Sequence, residues 1–262
     1  MSTATLDPRL AREIEHFDQV YAAEEQTSPL LLTERDKQRY ANPPATTMFS
    51  KEYCYHLLGG LQGKKVLEIA CGNGVDTCLA AFYGADVSAY DISPAAIHLT
   101  RKRAEANGLS DRIHLEACGD LTQAFAGEEF DAIVGYAALH HLPLAGLGEQ
   151  LRDRLRPGGV AVFQEPVVNS PLLARVRQWI PYLPTAVTDD EEPLNDRVIA
   201  ELAQSFDRLQ RREFECVSRI YPLLKRYRPL VRALFRLDRQ LMKIKPLRRF
   251  ASVTAFGLYR DA

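Results

Sequence analysis

The sequence predicts an α/β protein with a mostly parallel sheet. From Lys64 onward, short apolar runs alternate with segments of helical length, and this alternation is typical of parallel strands joined by right-handed crossovers. Five runs carry the pattern, at residues 66–70, 86–90, 113–117, 132–135 and 160–164. Later candidates are a helix near 195–206 and strands at 211–217 and 252–259, of which the last is expected to complete the sheet.

The same pattern suggests one structural domain in three segments. Residues 1–58 have helical spacing without a strand signal and are expected to form an N-terminal helical cap. Residues 59–166 hold the regular βα alternation of the core. Residues 167–262 are expected to complete the fold with an acidic loop at 189–192, a basic helical insertion at about 221–250 and the last strand.

The charge is balanced overall but unevenly distributed. The 262 residues include 33 basic and 34 acidic side chains, which gives a net charge of -1 and indicates no general preference for nucleic acid. Residues 219–262 nevertheless hold 12 basic and 2 acidic residues. The partner of this protein is therefore to be sought at the C-terminal region.

Composition also predicts a reduced, metal-free, cytoplasmic protein that at most contacts a membrane peripherally. The five cysteines are scattered, without a C-x-x-C pair to bind zinc or to act as a redox motif. No apolar run approaches the roughly 18 residues that span a bilayer.

The strongest motif is residues 66–74, VLEIACGNG, a buried strand that leads into small residues and then a helix. Small residues allow a ligand to approach the backbone, and the helix N-terminus offers free N–H groups. A dinucleotide fingerprint beginning at Gly72 needs glycine at position 77, where this chain has Thr77. The motif resembles instead the first motif of class I S-adenosylmethionine (SAM)-dependent methyltransferases, with Ala70 in place of the commonest first glycine.

Later strand ends extend this resemblance. Asp91 ends the second strand, where a carboxylate can accept hydrogen bonds from both ribose hydroxyls. CGDL at 118–121 follows the third strand, and LRPGG at 155–159 precedes the fifth. The resemblance implies a seven-stranded class I methyltransferase fold with SAM as cofactor and S-adenosylhomocysteine (SAH) as product. It implies these cofactor-binding residues: Glu68, Ala70, Gly72, Gly74, Asp91, Ile92, Asp120, Leu121 and Tyr136.

Candidate catalytic residues follow strands four and five. His141 is the first choice as the base for an accepting hydroxyl, His140 the second, and Glu165 a supporting carboxylate. This arrangement looks like that of natural-product sugar O-methyltransferases. The same Leu-His-His-Leu sequence also occurs in quinone methyltransferases in which one histidine only packs or bonds within the turn.

Two stripes at helical spacing mark the C-terminal insertion. One is basic, with Arg228, Arg232, Arg236, Arg239 and Lys243; the other is apolar, with Leu230, Leu234, Leu237, Leu241 and Ile244. The alternatives are a helix docked by its apolar stripe with a solvated basic face, a contact to an anionic membrane or a phosphate-bearing substrate, and RNA binding.

The expected function is methyl transfer from SAM to a small molecule, most simply to a hydroxyl in secondary-metabolite, glycan or lipid assembly. Residues 135–138, GYAA, lack the Asn or Asp with two prolines that nucleic-acid amino methyltransferases place there, so methylation of a flipped base is disfavoured. The alternatives are an RNA or protein methyltransferase that uses the basic helix and a SAM-binding protein without methyl transfer.

Overall fold

A computed structural model describes residues 8–170, 193–224 and 226–262. Within these residues one sheet has the strand order β3-β2-β1-β4-β5-β7-β6, and β7 runs antiparallel to β5 and β6 while the other pairs are parallel. This confirms the predicted seven-stranded α/β fold. The strands are β1 (Lys65–Ile69), β2 (Asp86–Asp91), β3 (Ile113–Ala117), β4 (Phe130–Tyr136), β5 (Leu155–Pro166), β6 (Arg208–Phe214) and β7 (Val253–Tyr259).

Helices cover both faces of the sheet, which is why its central strands read as continuous apolar runs. Successive residues of β1 point to opposite faces of the sheet, so Val66 and the next residue, Leu67, enter two separate hydrophobic clusters. The described helices are α1 (Pro8–Thr27), α2 (Glu34–Tyr40), α3 (Ser50–Leu58), α4 (Val75–Phe82), α5 (Pro94–Ala106), α6 (Leu147–Asp153), α7 (Asp196–Ala203) and α8 (Arg228–Leu241). Helices α3, α4 and α5 share one cluster, and α6 and α7 share the other.

The strand order reverses between β1 and β4, and this topological switch opens a crevice at the carboxyl ends of the strands. Helix α1 lies across that end and packs on α5. Several of its contacts are polar: Asp18 accepts hydrogen bonds from Ser93 Oγ and from the N–H of Ala95 (3.0 Å) at the start of α5. Glu24 accepts a hydrogen bond from Asn73 Nδ2 (2.7 Å).

The C-terminal insertion is helical, but its docked face differs from the predicted apolar stripe. Leu230 and Leu237 of that stripe are 46% and 47% exposed, and Ile244 lies beyond the end of α8 and is also exposed. Phe235 and Asp238 are buried instead. The predicted acidic loop at 189–192 lies outside the described residues.

A buried carboxylate explains this orientation of α8. Asp238 accepts hydrogen bonds from the N–H groups of Val217 (2.7 Å) and Ser218 (2.8 Å), which would otherwise lack partners at the turn after β6. Phe235 packs beside it against Phe49, with ring centroids 4.9 Å apart. The polar contact fixes which side of the helix faces inward, and hydrophobic spacing alone could not reveal it.

No helix in the described ranges is both long enough and apolar enough to cross a membrane.

Candidate active site

The carboxyl ends of β1, β2 and β4 line a cavity of about 120 Å³ beneath α1. Five of the predicted site residues line it: Ala70, Asp91, Ile92, Tyr136 and His141. Helix α1 supplies the opposite wall through Leu10, Glu13, Phe17 and Tyr21. Small-ligand pockets are usually about 300–1,000 Å³, so α1 narrows this cavity below that range.

Asp91 sits at the centre of the hydrogen bonds around this cavity. Its Oδ2 accepts the N–H of Gly72 (2.8 Å) and its Oδ1 accepts the N–H of Ser93 (2.9 Å). Burial raises the pKa of Asp91, and the two N–H groups and nearby His141 oppose that rise. The carboxylate is therefore partly committed to the backbone, and the remaining lone pairs of its two oxygens are what a ribose could use.

The turn after β1 adopts left-handed backbone angles, with φ of 54° at Ala70, 53° at Gly72 and 74° at Gly74. Alanine rarely adopts such an angle, which accounts for the glycine that usually stands at this position in the resembling family. A Cβ at Gly72 would lie 2.7 Å from the Tyr21 hydroxyl, and one at Gly74 would lie 2.5 Å from Thr100 Oγ1. Gly72 thus lets α1 approach, whereas Gly74 lets α5 approach; neither lines the cavity.

Glu68 is also buried away from the cavity. Thr77 Oγ1 donates a hydrogen bond to its Oε2 (2.5 Å), and this contact gives Thr77 a role in the turn. Burial raises the pKa of Glu68 to about 8, and the nearby charge of Asp76 adds to the shift. A neutral carboxyl is the form that such an apolar setting favours.

Asp120 and Leu121 line an adjoining cavity of about 640 Å³, which shares Leu10, Glu13 and His141 with the first. The carboxylate of Asp120 accepts hydrogen bonds from Thr122 Oγ1 (2.7 Å), the N–H of Thr122 (2.8 Å) and Gln123 Nε2 (2.9 Å). These bonds lower the pKa of Asp120. The residue therefore orders its own turn at the edge of the site.

The two histidines have different surroundings. Glu165 is fully buried and accepts hydrogen bonds from the N–H groups of Ala138 and Leu139, both 2.9 Å, while its other oxygen lies 2.8 Å from His140 Nδ1. Neither His140 nor Glu165 lines the first cavity. Their contacts hold the turn after β4, and Glu165 stands beside His140 as a supporting carboxylate.

His141 faces the cavity and has a carboxylate partner that the sequence did not indicate. Its Nδ1 lies 2.6 Å from Glu13 Oε1 on α1. The His141 ring is also 5.6 Å from the ring of Phe17, edge to face. A carboxylate at Nδ1 fixes the tautomer that places the basic lone pair on Nε2.

A larger cavity of about 1,030 Å³ adjoins this edge between α2, α3, α8 and the end of β5. Tyr136 connects the two regions, because it lines the first cavity and its ring centroid is 4.9 Å from Nζ of Lys51, which lines the larger one. Lys51 also bonds Asp76 (2.6 Å). Burial lowers the pKa of Lys51, but the charge and hydrogen bond of Asp76, together with Tyr40 and Glu68, outweigh it and the net shift is upward.

Sequence reasoning missed Tyr90 and the α1 wall. Tyr90 lines the first cavity and is 2% exposed, and its hydroxyl makes no hydrogen bond within the described residues. Its position directly before Asp91 was the available signal. Glu13 and Tyr21 gave no signal, because a polar helix facing a site reads like any surface helix.

The residues present fit an adenosyl cofactor. The buried hydroxyl of Tyr90, without a partner in the described residues, is available to a ligand atom, and the Asp91 carboxylate lies in the same cavity. The described residues contain no group of three or more His, Cys, Asp or Glu side chains placed to hold a metal.

The fold and this cavity define a class I methyltransferase architecture. Residues 66–159 match the Methyltransferase domain family. Geranyl diphosphate C-methyltransferase from Streptomyces coelicolor, solved with SAH, has the same fold at a TM-score of 0.61 and 12% identity, with 98% of this chain and 100% of that chain covered.

Sequence relatives carry methyltransferase names. Ribosomal protein L11 methyltransferase of Methylococcus capsulatus is 39% identical over 104 residues, which are 39% of this chain and 33% of that protein. Ubiquinone biosynthesis O-methyltransferase of Actinobacillus pleuropneumoniae is 34% identical over 116 residues, which are 43% of this chain and 50% of that protein. The chain thus spans about a third to a half of the length of these relatives.

The raised pKa of Glu68 predicts a stability that falls with pH. Between its ordinary value of 4.5 and about 8 the folded protein holds a proton that the unfolded chain releases. The stabilisation is complete below pH 4.5 and is lost as pH rises through about 8, with a slope of at most about 1.4 kcal/mol per pH unit. In urea denaturation across this pH range, the free energy of unfolding should depend less on pH for Glu68→Gln than for the wild type. Glu105→Gln, at an exposed position, is the control and should behave as the wild type does. Parallel curves for wild type and Glu68→Gln would contradict the assignment.

The unpartnered hydroxyl of Tyr90 predicts opposite effects on stability and binding. Tyr90→Phe should leave the free energy of unfolding unchanged or raise it, because a buried unsatisfied hydroxyl costs about 1–3 kcal/mol. It should weaken calorimetric binding of SAH by about 0.5–1.5 kcal/mol. The control is Tyr83→Phe, which loses a 2.7 Å hydrogen bond to the carbonyl of Lys37 outside the cavity and should lose stability but not affinity. Wild-type SAH affinity in Tyr90→Phe would exclude that hydroxyl from the site.

Proposed function

We propose that this protein is a SAM-dependent methyltransferase that acts on a small-molecule acceptor, with a hydroxyl as the accepting group. One observation carries the proposal: a cofactor-type cavity with Asp91 and Tyr90 adjoins, across Tyr136, a cavity large enough for a second ligand. Two adjoining sites at the carboxyl edge of the sheet suit a transfer between two bound molecules.

The cofactor, when bound, supplies a methyl group already activated on sulfur. The task of the chain is then to align the acceptor and exclude water. We propose that Asp91, Ile92 and Tyr90 hold the nucleoside, with Ala70 and Tyr136 beside it and Asp120 and Leu121 at the adenine end. Glu68, Gly72 and Gly74 support this site from outside the cavity by shaping the turn after β1.

Helix α1 acts in this proposal as the cap over the cofactor, within one domain formed by segments 1–58, 59–166 and 167–262. The 120 Å³ cavity is narrow because α1 is seated on it, and several of the contacts that hold α1 are hydrogen bonds that water can replace. We infer that α1 shifts when the cofactor enters and then closes to exclude water.

His141 is the base in this proposal, and Glu13 fixes its tautomer. His140 and Glu165 are positioning residues, because they hold the turn that presents His141. No metal takes part in the proposed reaction, so a chelator should leave turnover unchanged.

We propose that this protein is cytoplasmic and that its residues 221–250 contact an anionic partner, either a phosphate-bearing substrate or the surface of a membrane. Six exposed large apolar side chains lie between positions 220 and 244, beside the basic stripe: Ile220, Leu223, Tyr227, Leu230, Leu237 and Ile244. RNA or protein methylation is the second candidate, favoured by the match to the ribosomal protein methyltransferase.

Calorimetric titration with SAM, SAH and NAD tests the cofactor. We expect micromolar binding of both sulfur nucleosides and none of NAD, because Thr77 breaks the dinucleotide fingerprint. Asp111→Ala is a matched control for Asp91→Ala, since Asp111 is an exposed carboxylate outside the cavity. NAD binding, or the same SAH affinity in both variants, would argue against the proposed cofactor site.

Once a screen of hydroxylated metabolites has identified an acceptor, variants of the two histidines should differ in their kinetics. His141→Asn should lower kcat by about 10²–10⁴ and remove the acidic limb of the pH profile. His140→Asn should keep that limb, because the mutation loosens the turn without removing the base. A pH profile unchanged in His141→Asn would assign the base elsewhere.

A further inference from the structure

The larger cavity has an unusual charge distribution. Six basic and two acidic side chains line it, although residues 1–218 as a whole are acidic, with 21 basic and 32 acidic residues. Two of the six cations have protein partners: Arg39 pairs with Glu52 (2.6 Å) and Lys51 pairs with Asp76 (2.6 Å). The remaining four are guanidinium groups.

These four, Arg35 of α2 and Arg228, Arg232 and Arg236 of α8, form no hydrogen bond or ion pair within the described residues. They are exposed at the rim, so water solvates them, but they converge on one opening from two different helices. Like charges held together repel, and a bound anion relieves that repulsion. Glu215 also lines the cavity, and burial raises its pKa.

Aromatic rings form the wall below the rim. Phe235 lies 4.9 Å from Phe49 and 5.8 Å from Tyr221, measured between ring centroids. The Arg39 guanidinium lies 4.6 Å from the centroid of Phe49. This wall offers an apolar surface to the body of a ligand whose charged end lies at the rim.

The deep end of the cavity meets the cofactor region at Gln164. This residue pairs with Tyr136 across β4 and β5, and its carbonyl accepts the N–H of Ala137 (2.7 Å). Its side-chain Oε1 is buried and has no hydrogen-bond partner in the described chain. A ligand hydroxyl could donate to that oxygen next to Tyr136, which lines the cofactor cavity.

We propose that this cavity binds the acceptor and that Arg35, Arg228, Arg232 and Arg236 form a subsite for a phosphate or diphosphate group on it. The inference rests on the proposed methyltransferase function and specifies its substrate class: an acceptor with an anionic phosphate end, an apolar middle and a hydroxyl near Gln164. Several guanidinium groups from two helices match a group with three or more oxygens better than a carboxylate with two.

Inorganic pyrophosphate is the probe for the subsite. Calorimetric titration of the full chain, in the presence of SAH, should show binding that the double variant Arg228→Gln/Arg232→Gln weakens by about tenfold or more. The matched control is Arg226→Gln/Lys243→Gln, which removes two charges from the same segment outside the cavity and should change Kd by less than about twofold. Equal weakening by both double variants, or no binding to the wild type, overturns the subsite.

Vesicles distinguish a soluble phosphate from a lipid headgroup. One assay is cosedimentation of the protein with phosphatidylcholine vesicles that contain phosphatidic acid. If pyrophosphate prevents the cosedimentation, and only Arg228→Gln/Arg232→Gln abolishes it, the result supports the subsite with a lipid as the source of the phosphate. Pyrophosphate binding without sedimentation supports it with a soluble acceptor. Sedimentation weakened equally by both double variants, without pyrophosphate binding, overturns it and leaves only a general attraction to the membrane.

SAH binding separates this inference from the proposed function. Arg228→Gln/Arg232→Gln should bind SAH as the wild type does, because neither arginine lines the cofactor cavity. If the wild type binds SAH but not pyrophosphate, the phosphate subsite is contradicted and the proposed function is not. If the wild type binds pyrophosphate in this cavity but does not bind SAH, the proposed function is contradicted and the phosphate subsite is not.

Discussion

The carboxylate of Asp91 links the parts on which the site depends. One oxygen holds the N–H of Gly72 in the turn after β1, and the other holds the N–H of Ser93 at the start of α5. Ser93 in turn donates to Asp18, so the same chain of contacts reaches α1. A single buried group thus couples the glycine turn, the helix behind it and the helix above it. The two hydrogen bonds and nearby His141 offset part of the cost of burying this carboxylate.

In the proposed reaction, the two cavities divide the demands of methyl transfer between them. The smaller one, at the switch between β1 and β4, is polar where a nucleoside would need hydrogen bonds and is closed by α1. The larger one has an aromatic wall and a basic rim, so it favours a ligand with an apolar body and an anionic end. Tyr136 and Lys51 stand between them, and Asp76 holds the lysine in place. Binding energy far from the reacting atoms can therefore orient the acceptor.

Most of the sheet could be predicted because its signals are local. Buried parallel strands read as apolar runs, and acids at their ends mark the ligand edge, as at Asp91. What the sequence could not show depends on contacts between distant segments. Glu165 was predicted to support the histidines, but its two hydrogen bonds to the backbone of the turn after β4 could not be read from the sequence. Phe235 and Asp238, rather than the leucine stripe, face inward in α8, because the N–H groups of residues 217 and 218 require a partner. The pairing of Glu13 with His141 joins positions 128 residues apart.

In the proposed reaction, that last pairing makes proton abstraction conditional on the position of a helix. Glu13 belongs to α1, whereas His141 belongs to the turn after β4, so the two meet only when α1 is seated. With α1 displaced to admit a cofactor, His141 no longer has Glu13 to fix its tautomer. Closure would thus do more than exclude water. It would also fix the basic tautomer of His141, so that the residue could abstract a proton only after the ligands are enclosed. In the proposed reaction, the base would therefore act only on an acceptor that the closed site has enclosed.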